Sequence, residues 1–291
     1  MLVEKKLDYK GHSIFYRVTG GGKPVLFIHG FGEDGNVWKL PPKNSSKERL
    51  SIAQSSLFDN SSLLSKFKFV IPDLPGSGKS EMIDDMSMEG MAELIKDIID
   101  TESPKIPPSG GCRGALIGHS MGGYITLAFA EKYPEYLMGL GLFHSSAYPD
   151  SEEKKAARRK GIQFINEHGA FEFLKTANYN LFSQSSKDKM PAVIDEFISS
   201  LRNFNPQALV SYYEAMMKRP DRVSILRTLK IPMLFIAGKY DNAIPLNDML
   251  QQCHLPEISY FHILAESGHM GMLEEDEKTN RFLNDYLINL S

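Results

Sequence analysis

Ser120 has the surroundings of a nucleophile. It lies in Ile117-Gly118-His119-Ser120-Met121-Gly122-Gly123, between the apolar run Gly114-Ala115-Leu116-Ile117 and a run of good helix formers from Met121 to Tyr133. A serine with glycine two positions away on either side, where strand turns into helix, matches the G-x-S-x-G nucleophile elbow. The requirement is steric. The turn holds the serine in a strained backbone conformation, and a side chain at Gly118 or Gly122 would collide. Ser120 then projects alone at the top of its strand. The Met121 N–H, in the first turn of the helix, faces the place where negative charge develops on an attacked carbonyl. A serine hydroxyl is a weak nucleophile, so it needs a base within hydrogen-bond reach and a carboxylate to orient that base.

The elements that must position such a group follow from hydrophobic periodicity. Leu2 to Tyr9 and His12 to Thr19 alternate moderately around Gly11, as a hairpin would. Pro24-Val25-Leu26-Phe27-Ile28 is continuously apolar, as in a strand covered on both faces of a parallel sheet, and it ends in His29-Gly30-Phe31-Gly32. Phe69-Val70-Ile71 is the next strand, running into Pro72-Asp73-Leu74-Pro75-Gly76-Ser77-Gly78. Met88 to about Ile99 has amphipathic helix spacing, and Ser103 to Gly111 is a loop rich in Pro, Ser and Gly. Leu137 to Phe143, Pro232 to Ala237 and Ser259 to Ile263 read as further strands, and Glu275 to Leu290 as a closing helix. Strands alternating with helices at this spacing specify an α/β fold with a doubly wound, mostly parallel sheet.

Two segments interrupt that rhythm. From about Ser145 to Arg222 the pattern is helical and studded with aromatics such as Phe164, Phe173 and Tyr213. The expected organisation is a core domain built from residues 1–144 and 223–291, with residues 145–222 inserted as a helical cap over Ser120. Most of the cap aromatics pack the cap itself; some, with Met216 and Met217, are available to line an acyl pocket. Glu152 to Lys160 reads as the solvated face of a helix. The second interruption, around residues 41–66, is polar and serine-rich, and reads as a surface loop or flap with a short helix around Glu48 to Leu57.

Five stretches carry a resemblance: His29-Gly30-Phe31-Gly32, Asp73-Leu74-Pro75-Gly76-Ser77-Gly78-Lys79-Ser80, Gly118-His119-Ser120-Met121-Gly122-Gly123, Gly238-Lys239-Tyr240-Asp241 and Ser267-Gly268-His269-Met270. In these, and in their order, the chain resembles the α/β-hydrolase fold superfamily, in its branch of small serine esterases and carbon–carbon hydrolases. The resemblance spans nearly the whole chain and is specific for fold and serine catalysis, not for substrate. It implies the chain order nucleophile, acid, histidine. Of eight histidines, His269 follows the last strand by a short loop, comes after Gly268 and precedes the final helix, as the general base would. Asp241, after the strand ending at Ala237 and before Pro245, is the expected acid, with Asp248 and Glu266 as fallbacks. The resemblance places the second oxyanion donor at the Phe31 backbone N–H, beside that of Met121. It gives Gly30, Gly118, His119 and Gly122 supporting roles in the oxyanion loop and elbow, together with His29. His144 lies just past a strand end with no role attached, and Trp38 packs beneath the loop.

Other function classes are disfavoured. Gly76-Ser77-Gly78-Lys79-Ser80 imitates a phosphate-binding loop, but G-x-x-x-x-G-K-[ST] demands glycine where Asp73 stands, and a carboxylate there would repel a triphosphate. A net charge of −3 makes no electrostatic case for nucleic acid or a membrane surface. No apolar run approaches the roughly 18–20 residues of a membrane span. The start Met1-Leu2-Val3-Glu4-Lys5-Lys6 lacks the apolar core of a signal peptide, so a cytoplasmic enzyme, monomeric or homodimeric, is expected. Cys112 and Cys253 are too few for a disulfide framework or metal site, and the chemistry calls for no metal or organic cofactor. The leading expectation is hydrolysis of a small carboxylic ester through an acyl-enzyme. Carbon–carbon cleavage in a vinylogous diketone and enol-lactone hydrolysis use the same triad, and a non-catalytic binding protein on this fold is the reading from another class.

Overall fold

The computed structural model describes residues 2–38, 60–103 and 114–290. The expected helix over Glu48 to Leu57, most of the flap and nearly all of the Ser103 to Gly111 loop lie outside the described residues. The hairpin is present as β1 (Val3–Tyr9) and β2 (His12–Gly20), antiparallel with Val3 opposite Val18 and Tyr9 opposite His12. Six further strands follow: β3 (Lys23–Ile28), β4 (Phe67–Pro72), β5 (Gly114–His119), β6 (Leu137–Phe143), β7 (Met233–Gly238) and β8 (Ser259–Leu264). One eight-stranded sheet results, in the order β1-β2-β4-β3-β5-β6-β7-β8. β2 is antiparallel to β4 and all later neighbours are parallel.

The apolar runs are explained by where these strands sit. β5 and β7 are buried along their whole length, and β3 from Pro24 onward, because helices cover both faces. Alternate residues feed two cores: Leu26, Val70 and Leu116 pack on one face, and Val25, Phe27, Phe69 and Ile117 on the other. Each such side chain contributes about 1.5–3 kcal/mol by leaving water. The edge strand β1 instead exposes Glu4, Lys5 and Lys6, charges that discourage pairing with another chain.

α1 (Ser61–Lys66) starts where Asn60 Oδ1 accepts the Ser62 and Leu63 N–H groups, a cap signal that a loop reading of this stretch passes over. α2 (Met88–Glu102) is capped by Ser87 Oγ, which accepts the Gly90 N–H at 3.0 Å. α3 (Met121–Lys132) is buried from Met121 to Ala130, since it lies between the sheet and α2. Between β6 and β7 come α4 (Glu152–His168), α5 (Ala170–Tyr179), α6 (Gln184–Lys189), α7 (Pro191–Ser200), α8 (Pro206–Lys218) and α9 (Val223–Thr228). The sheet then resumes, with α10 (Leu246–Leu250), α11 (Gly271–Glu274) and α12 (Asp276–Leu290) around its last strands. No helix among the described residues is long and apolar enough to cross a membrane.

The helical insertion is tied to the loops at the carboxyl ends of the strands. Tyr212 Oη donates to the Pro75 carbonyl at 2.6 Å, and the His269 N–H donates to the Leu181 carbonyl at 2.7 Å. Those carboxyl ends, on the adjacent strands β4, β3, β5, β6, β7 and β8, are where parallel sheets gather ligand-binding loops.

Candidate active site

Ser120 joins β5 to α3 with φ 51° and ψ −116°, a strained conformation for a residue with a side chain. Its neighbours hold it there. The Ser120 N–H donates to the Phe143 carbonyl at 2.9 Å, and the Ser120 carbonyl accepts the Gly123 N–H at 2.9 Å and Ser145 Oγ at 2.8 Å. The glycine requirement is visible as distances: a Cβ on Gly118 would lie 2.3 Å from the Gly122 carbonyl oxygen, and one on Gly122 would lie 2.3 Å from that of Ile28. Ser145, whose hydroxyl steadies the elbow from the end of β6, carries no motif and went unnoticed in the sequence.

The loops after β7 and β8 bring Asp241 and His269 together, with His269 Nδ1 2.8 Å from Asp241 Oδ2. Both side chains are buried. Asp241 Oδ1 accepts the Ala243 and Ile244 N–H groups at 2.8 Å each, so the carboxylate cannot rotate freely. Burial pushes the Asp241 carboxyl up, but the two imidazoles beside it, His269 and His144, outweigh that and hold it well below the usual range. For His269 burial pushes the imidazole down, while the Asp241 carboxylate pulls it up and leaves it above its ordinary value. The fallback acids are elsewhere: Asp248 lies in α10, and Glu266 accepts a bond from Ser185 at 3.4 Å. Among the described residues no hydrogen bond joins Ser120 Oγ to His269. Catalytic hydrogen bonds are often long or unformed without substrate.

The loop after β3, the expected oxyanion loop, is held by a group the sequence reading missed. Glu33, 1% exposed, accepts the Gly30 N–H at 2.8 Å and meets His119 Nδ1 at 3.0 Å through the same oxygen, Oε2. His119 Nε2 donates to the His269 carbonyl at 2.9 Å. One imidazole thus ties the loop after β3 to the backbone of His269, with a single proton between Nδ1 and Oε2 completing the bond to Glu33. Burial raises the Glu33 carboxyl, and the charge and bond of His119, with the Gly30 N–H, bring it below the ordinary value. His29 Nδ1 donates to the Gly30 carbonyl and its Nε2 accepts the Leu74 N–H, each at 2.9 Å.

Asp73, the residue that spoils the phosphate-loop pattern, is a structural anchor. It is buried and accepts Arg17 Nη1 at 2.6 Å, the Gly35 N–H at 3.0 Å and the Lys79 N–H at 2.9 Å. The Lys79 ammonium points away to Glu4. Trp38 is buried against Phe27, with ring centroids 5.3 Å apart.

A cavity of about 550 Å³ opens among α4, α5 and α8, lined by Lys154, Arg158, Lys160, Phe173, Tyr213 and Asn242 among others. Tyr213 stacks on Phe31 at 4.2 Å, so one ring separates this cavity from the oxyanion loop. Lys154 and Arg158 turn inward from a helix face that the sequence reading left wholly to solvent. Among the described residues the one cluster close enough to share a metal ion is His144, Asp241 and His269, whose donor atoms lie within 4.8 Å and are hydrogen-bonded to one another.

Comparison with known proteins gives this geometry its relatives. A 2-hydroxy-6-oxononadienedioate/2-hydroxy-6-oxononatrienedioate hydrolase from Paraburkholderia phymatum is 28% identical over 94% of this chain and 90% of its own. A 2-hydroxy-6-oxo-6-phenylhexa-2,4-dienoate hydrolase from Comamonas testosteroni is 23% identical over 96% of this chain and 93% of its own. Among solved structures, a thermophilic esterase from Thermogutta terrifontis superposes with a TM-score of 0.81 at 27% identity, covering 100% of this chain and 99% of the other. The model of the alpha/beta hydrolase family matches residues 25–282, and with the elbow, the sheet and these enzymes in agreement, the chain belongs to that family and is a hydrolase.

Proposed function

We propose that this protein is a serine hydrolase that cleaves a carbon–carbon bond beside a ketone in a small, conjugated, acidic substrate. The observation that carries the bond type is the likeness, along 94% of the chain, to an enzyme named for hydrolysis of a hydroxy-oxo-dienedioate. This revises the expectation of a simple ester substrate. The acidic character is supported by the cavity, whose lining includes Lys154 and Lys160 as well as Glu172, the Arg158 guanidinium there being paired with Asp150. Residues 145–222 act as the cap that closes this space over the elbow.

In this reading Ser120 Oγ attacks the ketone carbon and passes its proton to His269 Nε2, while Asp241 holds the ring through Nδ1. The Phe31 and Met121 N–H groups receive the oxyanion. Collapse of the adduct breaks the bond to the neighbouring carbon. The substrate reacts as its diketone tautomer, the enol proton having moved to the carbon next to the attacked ketone; the electron pair left on that carbon spreads through the remaining double bond into the second carbonyl, whose oxygen takes the proton back from His269. Water, activated by the same histidine, then frees the acyl group as a carboxylic acid.

The test offers purified protein a 2-hydroxy-6-oxo-hexa-2,4-dienoate carrying a 6-phenyl group, alongside p-nitrophenyl acetate and butyrate. Loss of the conjugated absorbance, with benzoate and a hydroxydienoate formed in equal amounts and none in Ser120→Ala, is the expected result. Turnover of the esters alone would overturn the carbon–carbon reading in favour of the second one, carboxylic ester hydrolysis, which the whole-chain likeness to the Thermogutta esterase supports.

A further inference from the structure

His144 follows the last residue of β6, and nothing in the proposed cycle uses it. Its backbone is left-handed, with φ 47°, a region sparsely populated by residues other than glycine. Its ring is fully buried, in space that two glycines leave open: a Cβ on Gly238 would lie 2.9 Å from Cε1, and one on Gly271 2.5 Å from Nε2. Nδ1 lies 3.0 Å from Asp241 Oδ2, the same oxygen that His269 Nδ1 approaches to 2.8 Å.

The Asp241 carboxylate decides which tautomer this pocket holds. Nδ1 is also 3.2 Å from the Gly238 nitrogen, and as a lone pair it could accept that N–H. It would then face a carboxylate oxygen lone pair to lone pair. The proton would sit on Nε2, which is buried with no partner among the described residues. A buried donor without an acceptor is destabilising. With the proton on Nδ1 instead, the ring makes a charge-assisted bond to Asp241, and the Gly238 N–H is the donor left without an acceptor; each tautomer strands one donor, so the choice falls to the carboxylate, which attracts a proton on Nδ1 and repels a lone pair there. Burial pushes the imidazole down to about 4, so the ring carries one proton and not two.

We propose that His144 is a positioning residue for the Ser120, His269 and Asp241 machinery: its neutral Nδ1–H tautomer donates to Asp241 Oδ2 and pins the carboxylate in the rotamer that orients His269. The proposal rests on the triad reading given above. Asp241 then has four donors, two backbone N–H groups on Oδ1 and two imidazoles on Oδ2. The left-handed backbone at His144 is what allows a residue at the end of β6 to turn its ring toward the loop after β7.

The decisive experiment needs no substrate. Protein labelled with ¹⁵N-histidine should show far-downfield imidazole Nδ1–H protons from His144 and His269, beside the one His119 shares with Glu33. The first two should shift in Asp241→Asn, and one of them should vanish in His144→Asn. A wild type in which only the His269 proton responds to Asp241→Asn, with the His144 proton on Nε2, overturns the proposal whether or not the enzyme cleaves anything. Kinetics give a second readout. Asparagine carries a donor at the Nδ1 position and tolerates φ > 0, whereas leucine fills the space without a donor. His144→Asn should keep kcat within a few-fold and His144→Leu should lose kcat about a hundredfold with KM little changed. Equal kcat in the two variants overturns the positioning role.

Discussion

Asp241 gives one carboxylate oxygen to two backbone N–H groups and the other to two imidazoles, whereas Glu33 joins a backbone N–H and one imidazole through a single oxygen. Both are buried, and both are held below the ordinary carboxylate range by neighbouring histidines against the opposing push of burial. What separates them is what lies on the far side of the histidine. His269 has its second ring nitrogen left for chemistry. His119 donates its second nitrogen to the His269 carbonyl, and so it fixes backbone. In the proposed cycle one carboxylate orients a side chain that exchanges protons; the other ties the loop after β3 to the backbone of His269.

That contrast can be broken, and the largest effect comes first. Ser120→Ala should lower kcat on the order of 10⁶-fold, the scale found for a triad serine. Fluorophosphonate labelling that survives the substitution would show that the nucleophile lies elsewhere. Asp241→Asn should cost about 10⁴-fold in kcat, because the amide favours the wrong tautomer of His269. A loss confined to thermal stability would make Asp241 a structural residue like Glu33. For Glu33→Gln the expectation is a fall of about 10²-fold, the scale of one misplaced oxyanion donor, with about 3 kcal/mol of stability lost from a broken buried pair. Chemical denaturation and steady-state kinetics on the same samples separate the two parts, and unchanged stability would contradict the bonding seen here.

Acid and base should also tell the clusters apart. His269 must be neutral to act as base, and its raised pKa puts the acidic limb of the kcat/KM profile above the ordinary histidine value of about 6.5. Asp241→Asn should move that limb down; a limb that stays put would detach Asp241 from His269. Glu33 has the opposite sign. Its depressed pKa contributes stability that is present above the unfolded value of about 4.3 and lost as pH falls through the lower folded value, so Glu33→Gln should flatten the acid side of the unfolding profile. The smallest effect belongs to the cap: Lys154→Met with Lys160→Met should raise KM several-fold for an acidic ketone and leave a neutral ester unchanged.

The residues of the candidate site were legible because the elbow and its partners are written in local patterns. Gly118, Ser120 and Gly122 declare a turn that no larger residue could make. The runs Pro24 to Ile28 and Pro232 to Ala237 declare buried parallel strands whose ends carry His29 and Asp241. What stayed hidden has no local signature. Glu33 looks like any loop carboxylate until β3 and β5 pair and bring His119 against it. His144 looks like a histidine at a strand end until β7 pairs with β6 and places Asp241 within reach. Lys154 and Arg158 look solvated until α4 packs beside α8 and turns them toward a cavity.

The sequence by itself determined the sheet, the elbow and the three residues proposed to carry the reaction, because strand and turn propensities act over a few residues and leave periodic traces. Only the tertiary structure decided which buried groups face which, and so the direction in which His269 and His144 are shifted and the shape of the cavity among α4, α5 and α8. Those depend on contacts between residues tens to a hundred positions apart, such as Glu33 with His119 and His144 with Asp241. Whether a carboxylate is raised by burial or lowered by a partner is set by those contacts, not by its neighbours in the chain.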